Sequence, residues 1–126
     1  MKEIMAIIRM NRMNETREAL AEIGMGSFTA SKVQGRGKGK VDFSILKGAQ
    51  NGIEEAISQL GQGQKLIPKR LLTMIVPDGK VKPVVKTITR INQTGKAGDG
   101  KIFIMPVTES FRIRTGETGE RTLDVE

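Results

Sequence analysis

Between residues 3 and 9 apolar side chains fall on both alternating sets of positions, Ile4, Ala6 and Ile8 against Met5 and Ile7. A strand that is greasy on both faces reads as a central one. Asn14 is placed to cap a helix, with Glu15 and Glu18 in the first turn, where acidic groups suit the helix dipole. Thr16, Ala19, Leu20 and Ile23 share one face of that helix, and Gly24 suits its end. Residues 28–33 read as a second strand. Periodicity is lost from Gly35 to Leu66, with one short helical spacing at Ile53, Ala56, Ile57 and Leu60. It resumes at Ile67, where Leu71, Thr73 and Ile75 alternate with Leu72, Met74 and Val76. Pro77-Asp78-Gly79 is turn chemistry, and Val81, Val84, Val85, Ile88 and Ile91 return at helical spacing, with Pro83 tolerated in the first turn. Residues 102–107 read as a strong strand and 111–116 as a shorter extended piece.

The order strand–helix–strand, long loop, strand–helix–strand predicts an α+β, ferredoxin-like βαββαβ fold with both helices on one sheet face. Greasy strands with helices on one side only imply a second subunit on the other. With 126 residues the expectation is a single domain, 1–126, with a long loop and a C-terminal extended segment at about 108–126.

Composition narrows the chemistry. The chain has no histidine and no cysteine, so the commonest general base, disulfides and thiolate chemistry are excluded. No pair of carboxylates stands out for acid–base work, and the reading is not an enzyme. A formal charge of +7 favours anionic partners. Phe numbers 4 and neither Trp nor Tyr occurs, so stacking platforms for single-stranded nucleic acid are scarce. An RNA-binding module of the same fold is therefore the more distant alternative. No apolar run reaches membrane-spanning length, and the N-terminal apolar stretch is short for a signal peptide, so no membrane insertion and a cytoplasmic location are expected.

Basic and glycine-rich stretches carry the candidate chemistry. TGKAGDGK places Gly95 four residues before Gly100-Lys101, near the G-x-x-x-x-G-K spacing, but Ile102 stands where Ser or Thr should hold magnesium, and a helix precedes instead of following. The stretch is not that motif. Its glycines can still turn backbone amides onto an anion while a lysine supplies charge. GRGKGK (residues 35–40) repeats those ingredients, and RIRTG places Arg112 and Arg114 on one side of an extended chain, where guanidinium forks clamp phosphates. Asp99 is the acidic residue within these stretches, and a role in a turn or in holding a cation is preferred over catalysis.

TGKAGDGKIF followed by RIRTGE resembles the C-terminal signature of the PII signal-transduction family. IPKRLLTMIVPDG resembles its third strand, and MKEIMAIIR with EALAEIG resembles its start. The resemblance implies a ferredoxin-like trimer that binds ATP or ADP between subunits, Mg2+ with ATP, and 2-oxoglutarate as effector. It reports through a long flexible T-loop, here about 37–66. Carried over by matching motif, Ile7 and Thr29 would lie near the base. Gly35, Arg36, Gly37, Lys38, Gly98, Asp99, Gly100 and Lys101 would surround the phosphates, with Lys69 on phosphate or 2-oxoglutarate and Arg112 and Arg114 from a neighbouring subunit. The 2-oxoglutarate set would be Gly39, Lys40, Lys69 and Gly98, and no side chain is assigned to a metal. The family commonly has glutamine where Gly39 stands, which affects the 2-oxoglutarate set. The chain has no tyrosine for uridylylation. A long loop without that tyrosine resembles the archaeal nitrogenase-associated branch. This implies inhibition of nitrogenase when 2-oxoglutarate is low, as a homotrimer or a hetero-oligomer with a paralogous chain. Control of glutamine synthetase or an ammonium transporter is the alternative.

Overall fold

A computed structural model of the chain describes residues 1–37 and 66–124. It divides into two units, Met1–Val33 with Lys69–Glu126, and Gln34–Pro68. Of the second unit the described residues are the end of one strand, Arg36 and Gly37 after it, Leu66, and the start of the next strand from Ile67. Lys38, Gly39, Lys40, most of the expected T-loop and the helical spacing at Ile53–Leu60 lie outside the described residues.

Four strands, β1 (Lys2–Arg9), β2 (Thr29–Gly35), β3 (Ile67–Val76) and β4 (Lys101–Pro106), form one sheet in the order β2-β3-β1-β4. β1 pairs antiparallel with both β3 and β4. Helices α1 (Met13–Glu22) and α2 (Val81–Asn92) complete the α+β, ferredoxin-like fold expected from the element order. Both pack on the same side of the sheet. Ile4, Ala6 and Ile8 of β1 meet Leu72, Met74 and Val76 of β3, Leu20 of α1, Met25, and Val84 and Ile88 of α2. Each fully buried aliphatic side chain stabilises this core by roughly 1.5–3 kcal/mol.

Among the described residues no helix covers the opposite sheet face. Cross-strand register puts Met5, Ile7, Leu71 and Phe103 together there, because residues directly paired across strands share a face. Phe103 is 46% exposed and Ile75 is 36% exposed. The two-faced apolar pattern of β1 is thus half satisfied within this chain.

α1 departs from the expected start. Asn14 is not its cap: a 3-10 turn, Met10–Arg12, leads into the helix, which begins at Met13 with no side-chain cap bond. Tertiary contacts fix that entry. The Thr16 hydroxyl donates to the Arg12 carbonyl at 2.7 Å and accepts from Asn92 Nδ2 at 3.0 Å, and Asn92 also donates to the Ile88 carbonyl at 2.9 Å. This buried chain of bonds ties α1 to α2. The far end of α1 follows expectation. Gly24, at φ +75°, lets its own amide reach Ala21 O and the Met25 amide reach Leu20 O, closing a Schellman motif with Leu20 and Met25 in the core.

The C-terminal segment is not a simple extended piece. Phe111 bridges Thr118, residues 113–115 form a turn, and the Gly116 amide donates to Arg112 O at 2.7 Å. Strand alternation therefore does not set the directions of Arg112 and Arg114.

Candidate functional site

α2 ends at Asn92 and β4 begins at Lys101, and the connection between them is closed by Asp99. Its carboxylate accepts from the amides of Thr94 at 2.7 Å and Gly95 at 2.9 Å and from the Thr94 hydroxyl. Arg9, at the end of β1, donates to the same carboxylate at 2.6 Å and to Ala97 O at 2.9 Å. These donors hold the Asp99 carboxyl well below the usual carboxylate range, the Thr94 hydroxyl bond first, then the Thr94 amide, with Arg9 and Gly95 adding to it. Asp99 is thus consumed in shaping the loop, in line with the turn role its sequence context suggests.

Gly100 fixes how closely the loop approaches β1. At φ +105° a Cβ there would sit 1.8 Å from the Ile7 carbonyl oxygen, so only glycine fits. At Gly98 a Cβ would fill the space before two cations, 3.2 Å from Arg9 Nη2 and 3.6 Å from Lys69 Nζ.

Those cations face each other. Arg9 and Lys69 are direct register partners on β1 and β3. Like charges in that relation destabilise a sheet. Here each is engaged from the loop, Arg9 by Asp99 and Ala97 O, Lys69 by donating to Gly98 O at 2.8 Å. Lys69 titrates below its ordinary value, first because of burial, then because of Arg9, with Asp99 acting in the opposite direction. Arg9 holds the Asp99 carboxylate while Lys69 bonds a neutral carbonyl, so the pair carries an excess of positive charge. Behind the loop, Ile7, Ile8, Ile88, Asn92, Gly100 and Lys101 line a pocket of about 360 Å³. Asn92, one of the lining residues, has a buried Oδ1 with no hydrogen-bond partner among the described residues.

The structure brings Ile7, Lys69, Gly98, Asp99, Gly100 and Lys101 together around this loop. Thr29 is elsewhere. It starts β2, its carbonyl accepts from the Thr73 hydroxyl at 3.5 Å, and it lines a different pocket of about 400 Å³ with Thr73, Leu123 and Asp124. Arg112 is engaged within the C-terminal segment, donating to Glu117 Oε1 at 3.2 Å and to Thr122 O at 3.3 Å. Arg114 is exposed in the turn beside it. In the second unit Gly35 ends β2, and Arg36 and Gly37 are exposed. Sequence reasoning missed Arg9. The one available signal was a cation ending an otherwise apolar strand. Among the described residues no cluster of three or more acidic or metal-ligating side chains is placed to hold a metal ion. No helix described is long and apolar enough to cross a membrane.

A family model described as Nitrogen regulatory protein P-II matches residues 1–117. The chain is 45% identical over 124 residues to the nitrogen fixation nifHD region GlnB-like protein 2 of Methanothermococcus thermolithotrophicus, covering 95% of this chain and 96% of that protein. It is 42% identical over 125 residues to the protein of the same name from Methanobacterium ivanovii, covering 95% and 97%. It is 38% identical over 123 residues to nitrogen regulatory protein P-II 1 of Escherichia coli, covering 98% and 100%.

Proposed function

The chain belongs to the nitrogen regulatory protein P-II family, and from that membership we propose that it is a cytoplasmic regulator, not an enzyme, that binds ATP or ADP and 2-oxoglutarate and controls nitrogenase through its T-loop. The observation that carries the ligand assignment is the opposed pair Arg9 and Lys69 over a loop narrowed by Gly98 and Gly100. Asp99 offsets one of these two like charges, and a bound anion would offset the other. Lys101 adds a third cation at the start of β4. Phosphates, with Mg2+ alongside ATP, and the carboxylates of 2-oxoglutarate both fit this charge, and Ile7 supplies apolar surface nearby.

Assembly supports the same reading. The sheet face with Met5, Ile7, Leu71 and Phe103, which no helix among the described residues covers, suits closure by further subunits, as a homotrimer or with a paralogous chain. Thr29 would lie near the base, and Arg112 and Arg114, on the C-terminal segment, would enter the site from a neighbouring subunit. The nitrogenase target rests on relatives whose names refer to a nitrogen fixation nifHD region. Effectors would act by linkage: a tenfold preference for one loop state supplies about 1.4 kcal/mol per site.

The test combines a thermal shift with a pull-down. ATP at a hundredfold excess over its dissociation constant stabilises the folded protein by roughly 2.7 kcal/mol, raising the melting temperature. Lys101→Ala removes most of that rise, and an undiminished rise rejects the phosphate assignment. Tagged protein incubated with extract retains nitrogenase without effectors and releases it with 2-oxoglutarate and Mg-ATP. Retention of glutamine synthetase or an ammonium transporter in its place overturns the target.

A further inference from the structure

The flank of α2 beside β4 carries a second surface. An open groove of about 800 Å³ runs along it. Half-buried Val81 and Val85, with Ile104 at 46% exposure, supply an apolar floor. Lys82, Lys86 and Arg90 are exposed and recur every fourth residue, so they form one cationic row on the helix. Among the described residues no carboxylate lies within ion-pair distance of any of the three. Like charges at this spacing repel one another, and nothing in the described fold compensates them. The row spans on the order of 12 Å, two turns of helix.

We propose that this flank docks an acidic amphipathic helix of a partner protein. Charge complementarity sets the partner: carboxylates four residues apart over two turns match the cationic row, and apolar residues on the adjoining stripe cover Val81, Val85 and Ile104. Nucleic acid matches less of it. A phosphate backbone would satisfy the cations and leave the apolar floor open, and the groove offers no aromatic side chain for a base. The surface lies on the helix side of the sheet, away from the face that carries Met5, Ile7, Leu71 and Phe103. Thr89 and Gln93 line both this groove and the loop pocket, so a bound helix would sit beside the candidate site.

The test uses the full chain and a fluorescent 16-residue peptide with glutamates at every fourth position beside a leucine stripe. Controls are the same residues scrambled and a 20-nucleotide single-stranded RNA. Anisotropy should show binding of the ordered peptide that weakens at least tenfold when Lys82→Glu, Lys86→Glu and Arg90→Glu are combined. A control with Arg17→Glu and Lys32→Glu, cations on other surfaces, keeps the wild-type affinity. Melting temperature and its rise with ATP confirm that each variant is folded. Equal binding of the scrambled peptide, an equal loss in the control variant, or tighter binding of RNA through the same three residues overturns the proposal. So does a higher oligomer that the triple reversal dissociates, because the occupant is then a second copy of this chain.

Discussion

Replacing Gly100 with alanine tests the loop geometry most sharply. Its backbone sits at φ +105°, where a Cβ costs about 1–2 kcal/mol by itself. The added carbon would also lie 1.8 Å from Ile7 O, a backbone atom that cannot swing aside. Relief requires parting the start of β4 from β1 at the Ile7–Lys101 pair, the last in that ladder. Losing one or two such hydrogen bonds costs about 1 kcal/mol each. The sum is about 2–4 kcal/mol, a large share of the 5–15 kcal/mol typical of a domain. For a chain of this size that lowers the melting temperature by roughly 8–15 °C. Gly95→Ala is the matched control. It shares a positive φ, +83°, but nothing lies within 4 Å of its Cβ position, so only the backbone cost of about 1–2 kcal/mol applies. Scanning calorimetry and urea melts of both variants measure the contrast. Equal losses would refute the claim that close approach to Ile7, and not local backbone preference, dictates glycine at position 100.

Other perturbations read the same architecture. Asp99 has a depressed pKa in the folded state, so its bonds contribute stability above the unfolded carboxylate value, about pH 4, and that contribution is lost as pH falls through the depressed value. Melting temperature against pH should therefore fall more steeply below about pH 4 for the wild type than for Asp99→Asn, and parallel curves would contradict the assignment. Thr16→Val leaves Asn92 Nδ2 with Ile88 O as its remaining partner and should cost about 1–3 kcal/mol in urea denaturation, seen as a lower midpoint at unchanged slope. Lys69, already below its ordinary lysine value, should lose its charge as pH rises and weaken ATP binding, and Lys69→Gln should flatten that alkaline decline in calorimetric titrations.

Much of the fold was legible because local pattern and tertiary need agree. The alternation in β1 and β3, the helical spacing of Val84 and Ile88, and Gly24 after α1 each state the same answer at short and long range. Asn14 misled because a cap preference worth about 1 kcal/mol yields to a 3-10 turn and a buried Thr16–Asn92 bond joining residues 76 apart. RIRTG misled in the same way. Its alternation suggests a strand, but Gly116 takes a positive φ and Glu117 pairs with Arg112, folding the stretch into a turn. At the candidate site the glycines and Lys101 declared themselves by composition. Arg9 did not, because its partner Asp99 is 90 residues away and no local pattern encodes such a pair.

We propose that the cations around the Gly98–Lys101 loop form a nucleotide site. Equilibrium dialysis of the purified oligomer against radiolabelled ATP and ADP tests it most directly. Saturable retention of both, reduced at least tenfold by Lys101→Ala, is the predicted result. Retention of neither nucleotide at millimolar concentration would contradict it.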